Sequence, residues 1–247
     1  MCGHLQLFGY YLVLPAKLII SGLLLYIPLL FTASAVAFTG SGSCQGCHAE
    51  EFALWEGSHH DLAMQLPNPD TVLGNFDNTT FTYNGITTRF FRDGEKYMVN
   101  TDGEDGKLQN FEVAYVFGVD PLQQYLLPLS RGRLQALSIA WDARAESGGG
   151  QRWYHLYPDE PIDFKDPLHW TGTYQNWNTS CAECHSTDLK KNYQADTRSF
   201  NTQFAELNVG CEACHGPGEE HLALAEQGKL KDSEHGGFPT DLAQRGK

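Results

Sequence analysis

The pattern of apolar and polar residues divides the chain into an apolar leader followed by three blocks. The first block, from about residue 39 to 66, contains AEEFALW, which predicts a short helix with Phe52 and Trp55 on one face. In the second block, from about residue 72 to 157, alternation of period two predicts antiparallel strands. The third block, from about residue 158 onward, contains the helical pattern EEHLALAEQGK. We therefore predict an α+β fold in which a β-rich block is inserted between two segments of short helices and loops.

Turn residues support the strands of the middle block. The stretch TTRFFRDGEKYMVN predicts a hairpin around Asp93 and Gly94, because Asp-Gly is a preferred pair at tight hairpin turns. FEVAYVFG and GRLQALSIAW also alternate with period two, which is typical of half-buried strands. Glycine-rich breaks, including residues 148–150, predict the loops between the strands.

The leader has the order of a secretory signal. Lys17 is its only formal charge and precedes the apolar run LIISGLLLYIPLLF, and the small residues TASAVA follow. We predict a signal peptide over residues 1–37, with cleavage near Ala35 or Ala37, and a mature domain over residues 38–247. An uncleaved membrane anchor is the alternative, because the apolar stretch from Leu5 is long enough to span a bilayer. Membrane contact is expected only in that second case.

Six of the seven cysteines occur in three copies of one pattern. We number them motif 1 (CQGCH, residues 44–48), motif 2 (CAECH, residues 181–185) and motif 3 (CEACH, residues 211–215). C-x-x-C-H is the attachment signature of c-type haem. The two-residue gap matches the separation of the two haem vinyl groups, and the adjacent histidine reaches the iron from the same face. We expect three covalent haems, with iron, on Cys44 and Cys47, Cys181 and Cys184, and Cys211 and Cys214, bound through His48, His185 and His215.

Structural zinc and a disulfide framework are the alternatives. Zinc would combine the pairs into four-ligand sites, which does not explain why every pair is followed at once by its own histidine. Histidine fills only 10 of the 247 positions, so three such coincidences point to haem instead. Attachment of c-type haem takes place outside the bacterial cytoplasm, which agrees with the leader and predicts a periplasmic or otherwise extracytoplasmic protein.

Each haem iron has a sixth coordination position that is either filled or open. His60, which follows the first predicted helix, and His221, which comes after Gly-Pro-Gly, are candidate ligands. His155 and His169 have aromatic neighbours, so ligation and a semi-buried structural role are both open for them. The iron of motif 2 would take one of these two histidines, another group, or none.

The segments CQGCHAEEFALWEGSHHDLAM, GGQRWYHLYP, CAECHST and CEACHGPGEEH resemble the multihaem cytochrome c family that includes the tetrahaem electron carrier of bacterial ammonia oxidation. The closer resemblance is to longer relatives in which this domain precedes tetratricopeptide repeats. It implies that His221 binds the iron of motif 1 and that His60 binds the iron of motif 3. Relatives usually carry a fourth C-x-x-C-H after this point. The chain is therefore a candidate N-terminal fragment of such a protein.

The net charge of the chain limits the classes of partner that we expect. The formal net charge is −13, and removal of Lys17 with the leader takes it to −14 (−13 − 1) before any haem propionates are added. Such acidity argues against a nucleic acid partner and favours redox partner proteins with basic surfaces.

We therefore expect a multihaem electron carrier. The alternative is a redox enzyme, or its electron-input domain, that acts on a small nitrogen or sulfur species at a five-coordinate haem. A scaffold that binds partners without redox chemistry is a third and weaker reading.

Overall fold

The computed structural model describes residues 37–239. The predicted signal peptide or anchor lies outside the described residues except for Ala37. Among residues 37–239 no helix has both the length and the apolar character needed to cross a membrane.

The described part of the chain contains short helices on both sides of a strand-rich region. The helices are α1 (Ala49–Trp55), α2 (Trp177–Ser180), α3 (Ala182–His185), α4 (Cys211–His215) and α5 (Glu219–Glu226). The strands are β1 (Met64–Gln65), β2 (Thr79–Tyr83), β3 (Ile86–Asp93), β4 (Lys96–Asp102), β5 (Leu108–Glu112), β6 (Tyr115–Phe117), β7 (Leu122–Leu129), β8 (Arg133–Ala136), β9 (Ile139–Asp142) and β10 (Arg152–His155). All strand pairs are antiparallel, which confirms the α+β fold class.

Strands β2 to β5 form a four-stranded sheet in sequence order. The hairpin between β3 and β4 turns at Gly94, with Asp93 paired to Lys96, as Asp-Gly predicts. Gly94 has a φ of 59°, a conformation that glycine adopts at low cost. Inside the sheet the hydroxyls of Thr88 and Thr101 share a buried 2.7 Å hydrogen bond.

A six-stranded sheet has the order β1, β6, β7, β9, β10, and β8 pairs with β7 beside that path. The pattern FEVAYVFG is shared between the two sheets, since β5 ends at Glu112 and β6 begins at Tyr115. Strand β1 comes from the first helical block, where Met64 pairs with Phe117. Two residues are too few to produce an alternating pattern, so the sequence gives no sign of this strand.

Aromatic side chains from both sheets form one shared core. Phe76 lies at its centre and makes edge-to-face contacts with Phe90, Tyr97, Tyr125 and Trp153. Phe90 is fully buried, and its ring stacks on Trp153 at a centroid distance of 3.5 Å. Aromatic pairs of this kind contribute beyond the area they bury. This core stabilises the strand-rich region independently of the three cysteine motifs.

A second core connects the six-stranded sheet to motif 2. Met64, Phe117 and Leu126 from the sheet pack with Trp177 and Ala182 on the two helices around Cys181. Motif 2 is therefore attached to the sheet by apolar contacts.

We expect Phe90→Ala to lower the free energy of unfolding by about 3–5 kcal/mol, the usual cost of an aromatic-sized cavity. Guanidinium denaturation followed by tryptophan fluorescence measures it. Phe91→Ala is the matched control, because Phe91 points to the other face of β3 and lies under the Arg89 guanidinium at 4.2 Å. Equal losses in the two variants would contradict the central place of Phe90.

Candidate functional site

Each cysteine motif folds as a single helical turn. In motif 1 the backbone N–H of His48 donates to the Cys44 carbonyl at 2.9 Å, and motifs 2 and 3 lie on α3 and α4. Residues three and four apart are neighbours on a helical surface. Both cysteines and the histidine of each motif therefore lie on one side of a turn, as attachment of one flat macrocycle with an iron ligand requires.

The two cysteines of each motif differ in exposure. Cys47, Cys184 and Cys214 are exposed, whereas the first cysteine of each motif is partly buried. Burial raises the pKa of the Cys44 thiol, and the neighbouring Cys211 raises that pKa further. Burial also raises the pKa of Cys181. The influence of Cys211 on Cys44 shows that motifs 1 and 3 approach each other at their first cysteines.

His221 lies opposite His48. Their ring centroids are 6.2 Å apart, with the ring planes at 31°. A metal bound to imidazole lies about 2 Å from the nitrogen, and the nitrogen lies about 1 Å from its ring centroid. Two axial imidazoles on one iron therefore have centroids about 6 Å apart. The spacing of His48 and His221 fits one haem iron between them.

Hydrogen bonds orient two of these imidazoles. His221 Nδ1 lies 2.8 Å from the Gly236 carbonyl, and His185 Nδ1 lies 3.0 Å from the Ala63 carbonyl. A carbonyl only accepts, so each Nδ1 carries the proton and leaves Nε2 as the lone-pair donor. This is the usual arrangement of a metal-binding histidine. The two rings thus have the tautomer that an iron ligand needs.

His60 lies next to the start of motif 3. Its carbonyl accepts a hydrogen bond from the Val209 N–H at 3.1 Å, and Val209 is two residues before Cys211. The indole of Trp55 donates to the Val209 carbonyl at 2.9 Å and fixes the same approach. The His60 side chain is exposed. The chain therefore brings together His60 and motif 3, and His221 and motif 1.

His155 and His169 lie in the strand-rich region, buried, beside a cavity of about 30 Å³. His169 Nε2 is 3.2 Å from a carboxylate oxygen of Asp102, and its Nδ1 is 2.8 Å from the Thr171 hydroxyl. His155 stacks on Tyr83 at 3.6 Å, and its Nδ1 accepts from the Tyr157 N–H at 3.1 Å. Burial lowers the pKa of His155. Because Nδ1 accepts a hydrogen bond, the ring proton lies on Nε2. Both histidines are engaged within the chain.

The surroundings of motif 2 contain an indole without a partner. Trp177 is fully buried in the second core, in contact with the residues around Cys181, and its Nε1–H meets no acceptor among the described residues. A buried N–H that lacks an acceptor costs about 1–3 kcal/mol.

Three polar residues join motif 1 to motif 3. Glu212, the second residue of motif 3, accepts hydrogen bonds from the backbone N–H groups of Thr39 and Gly40 at 2.7–2.9 Å. Ser41 accepts from the Cys211 N–H at 2.9 Å and donates to Glu206 at 3.0 Å. We call Ser41, Glu206 and Glu212 the polar clamp. Sequence reasoning missed it, because a glutamate between two motif cysteines carries no signal of burial.

Motifs 2 and 3 are connected through the base of a long arm, residues 187–206. Antiparallel bridges join Thr187 to Glu206 and Gln194 to Ser199. The Thr187 hydroxyl accepts from the Gly210 N–H at 2.9 Å, directly before motif 3. A cavity of about 290 Å³ beside this junction is lined by residues of both motifs, among them Glu183 and Cys214. The three motifs thus form one cluster.

Within residues 37–239 no three side chains of histidine, cysteine, aspartate or glutamate converge as a metal cage. Each motif keeps its own histidine beside its own cysteines.

Comparison with known proteins finds a family match within the third block of the chain. Residues 162–216, which hold motifs 2 and 3, match the family described as cytochrome c554 and c-prime. No curated protein sequence matches the chain. A solved structure, the outer cell wall cytochrome OcwA, is similar with a TM-score of 0.49 and 20% identity, over 83% of this chain and 35% of that chain. The chain therefore spans about a third of the length of that protein.

The family match supports covalently bound c-type haem with iron in this part of the chain. It also supports a haem-based role in electron transfer, with redox proteins as partners.

Proposed function

We propose that the chain is a periplasmic multihaem c-type cytochrome that transfers electrons through three covalently attached haems. The observation that carries the proposal is the clustering of three C-x-x-C-H turns that lie far apart in sequence, with His221 facing His48 at 6.2 Å. Haem iron supplies one-electron chemistry when bound. The chain's own contribution is to hold the attachment points close together.

His221 and His60 are the proposed sixth ligands of the haems on motif 1 and motif 3. Support comes from the ring spacing and the Nδ1 hydrogen bond of His221, and from the backbone bond that places His60 beside motif 3. In this arrangement each of the two segments holds one haem and gives a ligand to the other. Electrons then pass between two haems whose separation is set by the chain.

The proposed location and partners rest on the leader and the charge. The signal-like leader takes the domain out of the cytoplasm. The formal net charge of −14 (−13 − 1) on the domain without Lys17 steers basic redox proteins toward it. Exchange with such a partner depends on ionic strength, because salt screens charges that lie more than about 8 Å apart at physiological concentration.

A second candidate function is favoured by the positions of His155 and His169. Both of these histidines are engaged within the strand-rich region, so neither is ready to close the iron of motif 2. An iron with an open position binds small ligands. The chain would then act as a redox enzyme, or as the electron-input domain of one, for a small nitrogen or sulfur species.

Intact mass spectrometry tests the haem count. Protein produced with a c-type maturation system is expected to exceed the mass of its own polypeptide by three haems, because each motif presents two thiols on one helical side. Cys181→Ala with Cys184→Ala should remove one haem mass and leave the other two. A haem-free, zinc-loaded product would contradict the proposed function.

Replacement of the proposed sixth ligands gives the second test. His221→Ala and His60→Ala should each convert one low-spin haem to high-spin iron, seen by electron paramagnetic resonance, and leave haem attachment intact. His59→Ala is the matched control, because His59 is the exposed neighbour of His60. Spectra of both ligand variants with no more high-spin iron than the unmutated protein would contradict the assignment.

Carbon monoxide tests the open iron on which the second candidate function depends. We expect the reduced, unmutated protein to bind one carbon monoxide per chain, at the haem of motif 2, since His155 and His169 are engaged elsewhere. The stoichiometry is read from the visible spectrum. Absence of any spectral shift would show that another group closes this iron and would remove the support for the enzyme.

A further inference from the structure

We propose that Glu212 is a positioning residue that fixes motif 1 against motif 3 and, as a buried negative charge, holds down the reduction potential of the haem pair on these motifs. The inference rests on the proposed function, because it concerns haems attached at Cys44 and Cys211. Its two parts follow from the hydrogen bonds of Glu212 and from its charge.

The Glu212 carboxylate forms the centre of a dense set of hydrogen bonds. It accepts from the N–H groups of Thr39, Gly40 and Gly218 at 2.6–2.9 Å and from the Thr39 hydroxyl at 3.2 Å. Thr39 lies five residues before Cys44, and Gly218 lies three residues after His215. One side chain therefore joins the entry to motif 1 with both ends of motif 3.

The charge of Glu212 is buried without a cation. The residue is 2% exposed, and none of the ion pairs formed within residues 37–239 includes it. Its donors are neutral backbone and hydroxyl groups. A buried charge needs such hydrogen bonds to be tolerated. At this burial the field of the charge is screened less than that of a surface carboxylate, although Glu212 also lines the cavity of about 290 Å³ beside motifs 2 and 3.

The position of the charge gives it an effect on the haem pair. Glu212 is covalently next to Cys211, and the Cys211 thiol neighbours Cys44. Local charge is one of the factors that set a haem's reduction potential. A fixed negative charge stabilises the more positive, oxidised iron and so lowers the potential. Both haems of the pair are attached within reach of this field.

The polar clamp is closely packed and leaves little room for side chains at two neighbouring glycines. A Cβ on Gly210 would lie 2.0 Å from a Glu206 carboxylate oxygen and 2.5 Å from the Ser41 hydroxyl. A Cβ on Gly218 would lie 3.1 Å from Glu212. The absence of side chains at Gly210 and Gly218 lets the backbone approach the clamp, and Ser41 at its centre is 1% exposed.

Two Glu212 variants separate charge from geometry in the holoprotein. Glu212→Gln keeps the length and removes the charge, whereas Glu212→Asp keeps the charge and shortens the side chain by one methylene. Glu183→Gln is the matched control, because it removes a charge inside motif 2 from a side chain that is 73% exposed. Redox titration followed by visible absorbance gives the potentials, and electron paramagnetic resonance of the oxidised protein gives the interaction between haems.

We expect Glu212→Gln to raise the potential of at least one haem by more than Glu183→Gln does. Glu212→Asp should leave the potentials near those of the unmutated protein and change the haem–haem interaction. A potential shift in Glu212→Gln no larger than in the control overturns the electrostatic part. If Glu212→Gln fails to mature, Glu212→Asp alone provides the test. An unchanged haem–haem interaction in the electron paramagnetic resonance spectrum of Glu212→Asp overturns the positioning part. Loss of haem from the unmutated protein would instead count against the proposed function.

Discussion

The central constraint on this structure is that its chemistry lies on helical turns too short to be stable alone. The turns that carry motifs 2 and 3 have four and five residues, and isolated helices shorter than about 12 residues are marginal in water. Each turn is therefore held from outside. Motif 2 rests on the six-stranded sheet through the second core, while motifs 1 and 3 are held together by the polar clamp. The aromatic core between the two sheets gives this arrangement a rigid base.

The two modes of support have different electrostatic consequences. Motif 2 rests on the second core through apolar contacts, beside which His185 Nδ1 donates to the Ala63 carbonyl at 3.0 Å and the indole N–H of Trp177 has no acceptor among the described residues. Around motifs 1 and 3 the contacts are carboxylates that accept neutral donors. A positive charge on iron is stabilised more by the carboxylates of the polar clamp than by the apolar surroundings of motif 2. The chain thus provides unlike environments for attachment points that share one sequence pattern.

Much of the fold could be predicted from local sequence, and the parts that could not have physical reasons. Asp-Gly predicts the β3–β4 hairpin because a tight turn depends on local residues, here above all on Gly94 with its positive φ. The two-residue strand β1 has no pattern of its own and forms because Phe117 is available as a partner. The cysteines and histidines of the motifs were evident from spacing. The roles of Glu212 and Ser41 were not, since each depends on a partner more than 160 residues away in the sequence.

The arm between motifs 2 and 3, residues 187–206, has a fixed base and an exposed tip, so its length can change without moving the two motifs. Its base is fixed by the bonds of Thr187 with Glu206 and Gly210, whereas residues 195–198 at its tip are all exposed. Exposed tips of this kind accept inserted sequence without disturbing the domain that carries them. The tip is therefore a suitable attachment point for a fluorescent label or an electrode tether.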